Sequence, residues 1–234
     1  MTSIGDVGWD REALQRLRAG DIGVLATRPL APVLQHVGQA LLGRDLAGNE
    51  NLVRRCVTAL GERDDAGDDV LAVELLAALG QPITNEQVPW PLTAVPVDLE
   101  MLADFLDGDP LQGNGVVDLL TGDVYPPGVL DWDRPEELDE NSDSFDPDRW
   151  LHFQPESGEG YRDMCDFAVN LPEGELRDRL LPALDGRGAF RRFRNALDDD
   201  AYRDQLTNWT LFGDERRLGR AREWLAQAGY RSVQ

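Results

Sequence analysis

The sequence predicts a predominantly helical α+β fold: a small N-terminal helical bundle, then a domain with a small antiparallel sheet of two or three strands and about five helices. Three observations lead there. Apolar residues recur at helical spacing over most of the chain. Two β-favouring runs flank Thr121-Gly122-Asp123 in GVVDLLTGDVYPP, as in a tight hairpin, and RWLHFQP at 149–155 supplies a further strand. Between the halves, QPITNEQVPWPLTAVPV at 81–97 holds four prolines and few helix formers, the composition of a semi-rigid connector. The expected division is therefore a helical domain over 1–80, a linker over 81–97 and an α+β domain over 98–232.

Taken in order, Asp10 can cap a first helix whose apolar positions include Leu14 and Leu17 and which ends at Gly20. Pro32 suits the first turn of a second, whose stripe of Val33, Leu34, Val37 and Leu41 stops at Gly43. His36 lies about 100° from the centre of that stripe, a boundary position. A third helix follows Asn49, with Leu52, Val53, Cys56, Val57 and Leu60 on one face. The fourth opens near Asp68 and Asp69, acids that suit a helix amino terminus, and VLAVELLAAL is apolar almost all round, as at the centre of a bundle. Asp98 caps a short helix, LEMLADFLDG, ahead of the hairpin. In the later strand Trp150 and His152 face one side, Leu151 and Phe153 the other.

Beyond it, Tyr161, Met164, Cys165, Ala168 and Leu171 share a helical face, with Arg162, Asp163 and Asp166 turned away. Leu176 and Leu180 point inward on the next helix until Pro182 kinks or ends it. Tyr202, Leu206 and Trp209 repeat at i, i+4, i+7. A last helix, capped by Asp214, buries Leu218, Ala221, Leu225 and Ala228 and ends at Gly229.

Composition narrows the function. The 234 residues are 41% hydrophobic, enough for a buried core. No apolar run approaches the roughly 20 residues that span a bilayer. MTSIGDVGWDRE has no basic region followed by an apolar one, so the cytoplasm is the expected location. Cys56 and Cys165 form no CxxC pair and read as small buried hydrophobes. His36 and His152 are the only histidines and stand far apart, too few for a His-rich metal site. No P-loop, GxGxxG, GxSxG or HExxH is present, and no cofactor is expected.

The 44 acids oppose 23 basic residues, all arginine, for a net charge of −21. A GC-rich genome or adaptation to salt would each account for the absence of lysine. That charge disfavours direct nucleic-acid binding. Its distribution is uneven: residues 98–166 carry 20 acids and three arginines, whereas 167–234 carry 11 acids and 12 arginines. From Asp131 to Asp148 nine acids face one arginine, the composition of a solvated loop. Asp139, Asn141 and Asp143 occupy the first three ligand positions of a calcium loop. Ser144 stands where the glycine belongs and Trp150 where the glutamate belongs, so no metal site is expected.

The richest cationic feature is GRGAFRRFRNAL, Gly186 to Leu197. Gly186 and Gly188 shape the turn into a short amphipathic helix. Phe190, Phe193, Ala196 and Leu197 fall on its core face, and Arg187, Arg191 and Arg194 fall together beside it, while Arg192 points elsewhere. Such a stripe suits a phosphate or carboxylate, or the protein's own acids.

Residues 95–232 resemble uncharacterised protein family 158, a bacterial family. The resemblance lies in the order of a short leading helix, VVDLLTGDV, an acidic segment, RWLHFQP, YRDMCDFAVNL, ELRDRLLPAL, GRGAFRRFRNAL and a helix ending REWLAQAGY. It implies the α+β fold and no established activity, substrate or cofactor.

The functional expectation is a non-enzymatic intracellular binding or regulatory module, with a protein partner and no membrane. Three alternatives stay open: an acidic mimic of nucleic acid occupying a basic partner, anion or RNA binding through the arginine-bearing helix, and a carboxylate-based enzyme.

Overall fold

The computed structural model describes residues 8–83, 88–128, 135–139, 141–142 and 144–233. The fold is α+β and predominantly helical. Its elements are α1 (Arg11–Arg18), α2 (Leu34–Leu42), α3 (Glu50–Arg63), α4 (Asp68–Ala78), β1 (Thr93–Val95), α5 (Leu99–Leu106), β2 (Gly115–Asp118), β3 (Val124–Tyr125), β4 (Trp150–Phe153), α6 (Gly158–Asn170), α7 (Glu175–Ala183), α8 (Ala189–Leu197), α9 (Arg203–Gln227) and β5 (Tyr230–Ser232). They form two compact units, one from Met1–Asp65 and Gly158–Arg216, the other from Ala66–Ser157 and Arg217–Gln234. The units thus interleave along the chain rather than following the expected 1–80 and 98–232. Charge is divided with them: the first unit has 22 acids and 17 arginines, the second 22 acids and six.

In the first unit, Asp10 caps α1 by accepting from the Ala13 amide at 2.8 Å. Helix α2 has no side-chain cap among its own neighbours. Glu215 of α9 takes that place, accepting from the Gln35 amide at 2.8 Å and the His36 amide at 3.1 Å. The same carboxylate meets His36 Nδ1 at 2.6 Å and Arg63 Nη1 of α3 at 2.8 Å. Arg18 Nη2 stands 3.1 Å from His36 Nε2; guanidinium can only donate, so Nε2 accepts and Nδ1 carries the proton given to Glu215. His36 is therefore buried, not at a boundary as its wheel angle indicated, because α1 and α9 cover that flank with a charge network.

Helix α9 runs unbroken through Gly213 and Asp214, which corrects the expected start of a separate helix there. A glycine in a helix costs only about 1 kcal/mol relative to alanine, and flanking packing offsets it. The Asp214 carboxylate instead pairs with Arg18 at 3.0 Å. Asp163, expected to face outward, is buried: Arg216 lies 3.5 Å from it and 2.8 Å from Asp166, with its guanidinium over the Phe212 ring.

The second unit holds the sheets. Strands β3-β2-β4 form the expected antiparallel sheet, with Val116 opposite Tyr125 and His152. Val117, Leu151 and Phe153 pack with Val97, Leu102 and Leu225, while Val116 and Trp150 pack with Leu138 on the opposite side. The strand alternation is therefore as expected, although His152 itself is exposed. Leu138, within the stretch read as a solvated loop, is buried. Residues 129–134, 140 and 143 of the acidic region, Asp143 of the weak calcium pattern included, lie outside the described residues.

At the hairpin, Asp118 Oδ1 accepts from the Leu120 amide at 2.9 Å and Oδ2 from the Thr121 hydroxyl at 3.0 Å. Arg149 adds a two-pronged contact at 2.9 and 2.7 Å. Burial acts to raise the Asp118 carboxyl; Arg149 and the turn donors outweigh it, and its pKa lies below the ordinary value. Gly122 has a φ of +84°, and an added Cβ would meet the Pro96 carbonyl oxygen.

The 81–97 stretch is more than a connector. Within it β1 pairs in parallel with β5, Thr93 opposite Tyr230, a strand that follows the helix-ending Gly229. Helix α4 is buried nearly all round, and its Glu74 meets Arg222 at 2.6 Å in the interior.

Two outcomes follow from these contacts. Burial acts to raise the Glu215 carboxyl, but the His36 hydrogen bond and the Arg63 charge lower it from 4.5 to about 2. The unfolded chain therefore takes up this proton first as pH falls. The stabilisation is complete above pH 4.5 and is lost as pH drops toward 2; it amounts to about 3 kcal/mol. Urea titrations across that range should show this pH-dependent component in the native chain and lose it in Glu215→Gln. Separately, Gly122→Ala should destabilise by roughly 2 kcal/mol or more, read by thermal denaturation, since backbone strain and overlap both oppose it.

Candidate functional site

The site is built around α8 in the first unit. Gly186 and Gly188 have φ values of +68° and +80°, a backbone region that only glycine enters without strain. They turn the chain sharply from α7 into α8. No side chain caps α8, and its first turn contains no acid. Arg192, which the wheel directs away from the other arginines, holds this turn together. Its Nε donates to the Ala183 carbonyl at 3.1 Å, and its terminal nitrogens donate to the carbonyls of Asp185 and Arg187. It thereby satisfies acceptors at the carboxyl end of α7 that the helix leaves unpaired.

The inner face of α8 is aromatic. Phe193, 1% exposed, lies edge-on to Trp209 at a ring separation of 4.9 Å and to Phe167 at 6.3 Å. Phe167 in turn contacts Trp209 at 5.3 Å and Phe212 at 5.7 Å. Ala189, Ala196 and Leu197 complete the buried face, and Ala196 and Leu197 share a cluster with Leu180 and Leu184 of the α7 region. Edge-to-face rings add stabilisation beyond area burial.

Phe190 departs from its expected place on that face: it is 56% exposed. The helix begins at Ala189, so Phe190 lies in the first turn. Helical side chains tilt toward the amino terminus, which carries this ring beyond the core toward Gly160 at the start of α6. The arginine stripe is also modified. Arg187 sits in the turn before the helix, so only Arg191 and Arg194 lie on α8 itself, with Arg194 at i+4 from Phe190. All three are exposed and make no ion pair among the described residues.

Among the described residues Arg11, Arg54, Arg55, Arg177 and Arg231 also show no ion pair, so what marks α8 is three such arginines within eight residues beside an exposed ring. Arg16, Arg18, Arg28, Arg63, Arg149, Arg162, Arg179, Arg216, Arg217, Arg220 and Arg222 each pair with a carboxylate. The outer surface of α8 is therefore an exposed aromatic ring beside uncompensated guanidinium groups, able to bind carboxylates or phosphates in fork geometry.

Other groups fall elsewhere. Cys56 is buried and Cys165 half-buried, and neither forms a disulfide. Among the described residues no group of three or more His, Cys, Asp or Glu side chains is arranged to hold a metal. His152 and His36 lie in different units. Sequence reasoning missed the Glu215 network, whose members are separated by up to 180 positions. The one local signal was the lack of a capping side chain at the start of α2.

Phe193→Ala should cost about 3–5 kcal/mol, because a buried ring in close contact leaves a cavity. Phe190→Ala should change stability by less than about 0.5 kcal/mol. Chemical denaturation of the two variants checks both, and a large loss at Phe190 would contradict its exposed placement.

No family model matches the chain, and neither the curated proteins nor the solved structures contain a match.

Proposed function

We propose that the chain is a non-enzymatic binding or regulatory module that engages a protein partner through the outer face of α8. The observation that carries this reading is the unpaired state of Arg187, Arg191 and Arg194 beside exposed Phe190, in a chain with 44 acids. Repulsion among neighbouring guanidiniums is unfavourable in the free protein and is relieved by an anionic partner. Arginine and aromatic side chains are also enriched where partners bind. The resemblance to uncharacterised protein family 158 over residues 95–232 belongs to the same proposal and adds no activity to it.

A second reading draws on the other unit, where 22 acids oppose six arginines: its surface would occupy the nucleic-acid groove of a basic partner. One experiment separates the two. The tagged protein is used to capture partners from its native host, with identification by mass spectrometry, comparing the native chain, an R191E/R194E variant and a deletion of 131–148. The α8 reading expects R191E/R194E to lose the partners and the deletion to retain them. The reverse pattern favours mimicry, and capture unaffected by R191E/R194E overturns the α8 reading.

A further inference from the structure

We infer that the segment recognised by α8 is an acidic peptide carrying an apolar side chain, with its carboxylates on Arg191, Arg194 and Arg187 and its apolar group against Phe190. This rests on the binding reading above and specifies what fills the surface.

Charge complementarity decides between polyanions and peptides. The chain carries −21 overall, with 22 acids against 17 arginines even in the unit that holds α8. A long nucleic acid would meet that repulsion far beyond the three guanidiniums, and its affinity relies on many phosphate contacts. A short acidic segment engages only local charges, within about one Debye length of α8. Carboxylates also match the arginine fork as well as phosphates do.

The aromatic ring supplies the second element of recognition. Phe190 is over half exposed in the first turn of α8, and Arg194 one turn further along lies on the same side. An apolar partner side chain placed on the ring would exclude water from the neighbouring arginine–carboxylate contacts and strengthen them. The surface is also held in shape before binding. Phe193 and Leu197 fix α8 to the core, and Arg192 spends its donors on the α7 carbonyls. Arg192 is thereby a positioning residue and leaves the contact to its neighbours. Little backbone ordering then opposes association.

A suitable probe is a fluorescently labelled peptide with the sequence of residues 135–148, PEELDENSDSFDPD, which combines seven acids with Leu138 and Phe145. Anisotropy titrations at low salt would use the full chain. The expected result is saturable binding that weakens as salt rises. R191E/R194E should lower affinity at least tenfold and Phe190→Ala several-fold. R54E/R55E, an equal charge change on exposed α3 positions, should leave it within about twofold. A peptide with Leu138 and Phe145 replaced by serine should bind more weakly to the native chain, and Phe190→Ala should remove that difference.

Absence of peptide binding at low salt would overturn the inference, as would equal losses in R191E/R194E and R54E/R55E. Tighter binding of an oligothymidylate of the same length would assign the surface to nucleic acid instead. Self-association in sedimentation that disappears in R191E/R194E would make the occupant a second copy, and the separate partner would be rejected. If R191E/R194E loses its captured partners while no acidic peptide binds, the α8 reading stands and only the peptide chemistry fails.

Discussion

The buried carboxylate of Glu215 is the constraint on which the first unit depends. A charge placed inside a protein is costly unless its oxygens are fully engaged. Here two amides at the start of α2, the His36 ring and the Arg63 guanidinium all converge on it. Each contact solves a problem for the other partner. Helix α2 obtains the cap that its own neighbours lack, His36 obtains an acceptor, and Arg63 obtains a counter-charge. The amino-terminal helices are joined in this way to α9, over a separation no local signal records.

The same economy of charge explains where arginine is used. In a chain with 44 acids, about half of the described arginines serve the protein's own ionic network: Arg149 closes the Asp118 hairpin, Arg216 meets Asp163 and Asp166, and Arg222 meets Glu74. Arg192 extends the pattern to backbone carbonyls. Arg187, Arg191 and Arg194 have none of these uses, as is also true of Arg54 and Arg55 on α3, and their interest lies in standing beside the exposed Phe190 ring.

Much of the local structure was legible. Asp10 and Asp98 act as the caps their positions indicate, and both accept from amides of the following first turn. The hairpin about Thr121-Gly122-Asp123 and the alternation of Leu151 and Phe153 follow from short-range geometry. In GRGAFRRFRNAL the glycines have the left-handed backbone suited to a turn, and Phe193 and Leu197 are buried. Phe190 shows where the wheel fails. Angle alone places it with the core, but a residue in the first turn projects past the helix end, and what it meets there depends on α6.

By itself, then, the sequence determined most of the helices, the small antiparallel sheet and the charge balance. These depend on spacing, capping and composition within a few residues. Tertiary structure alone decided that β1 pairs with β5, that α9 continues through Gly213, that His36 is interior, and which arginines lack partners. The β1–β5 pairing, the burial of His36 and the arginine pairings join residues far apart in the chain. Pairing energy there depends on proximity in space, which no local pattern encodes.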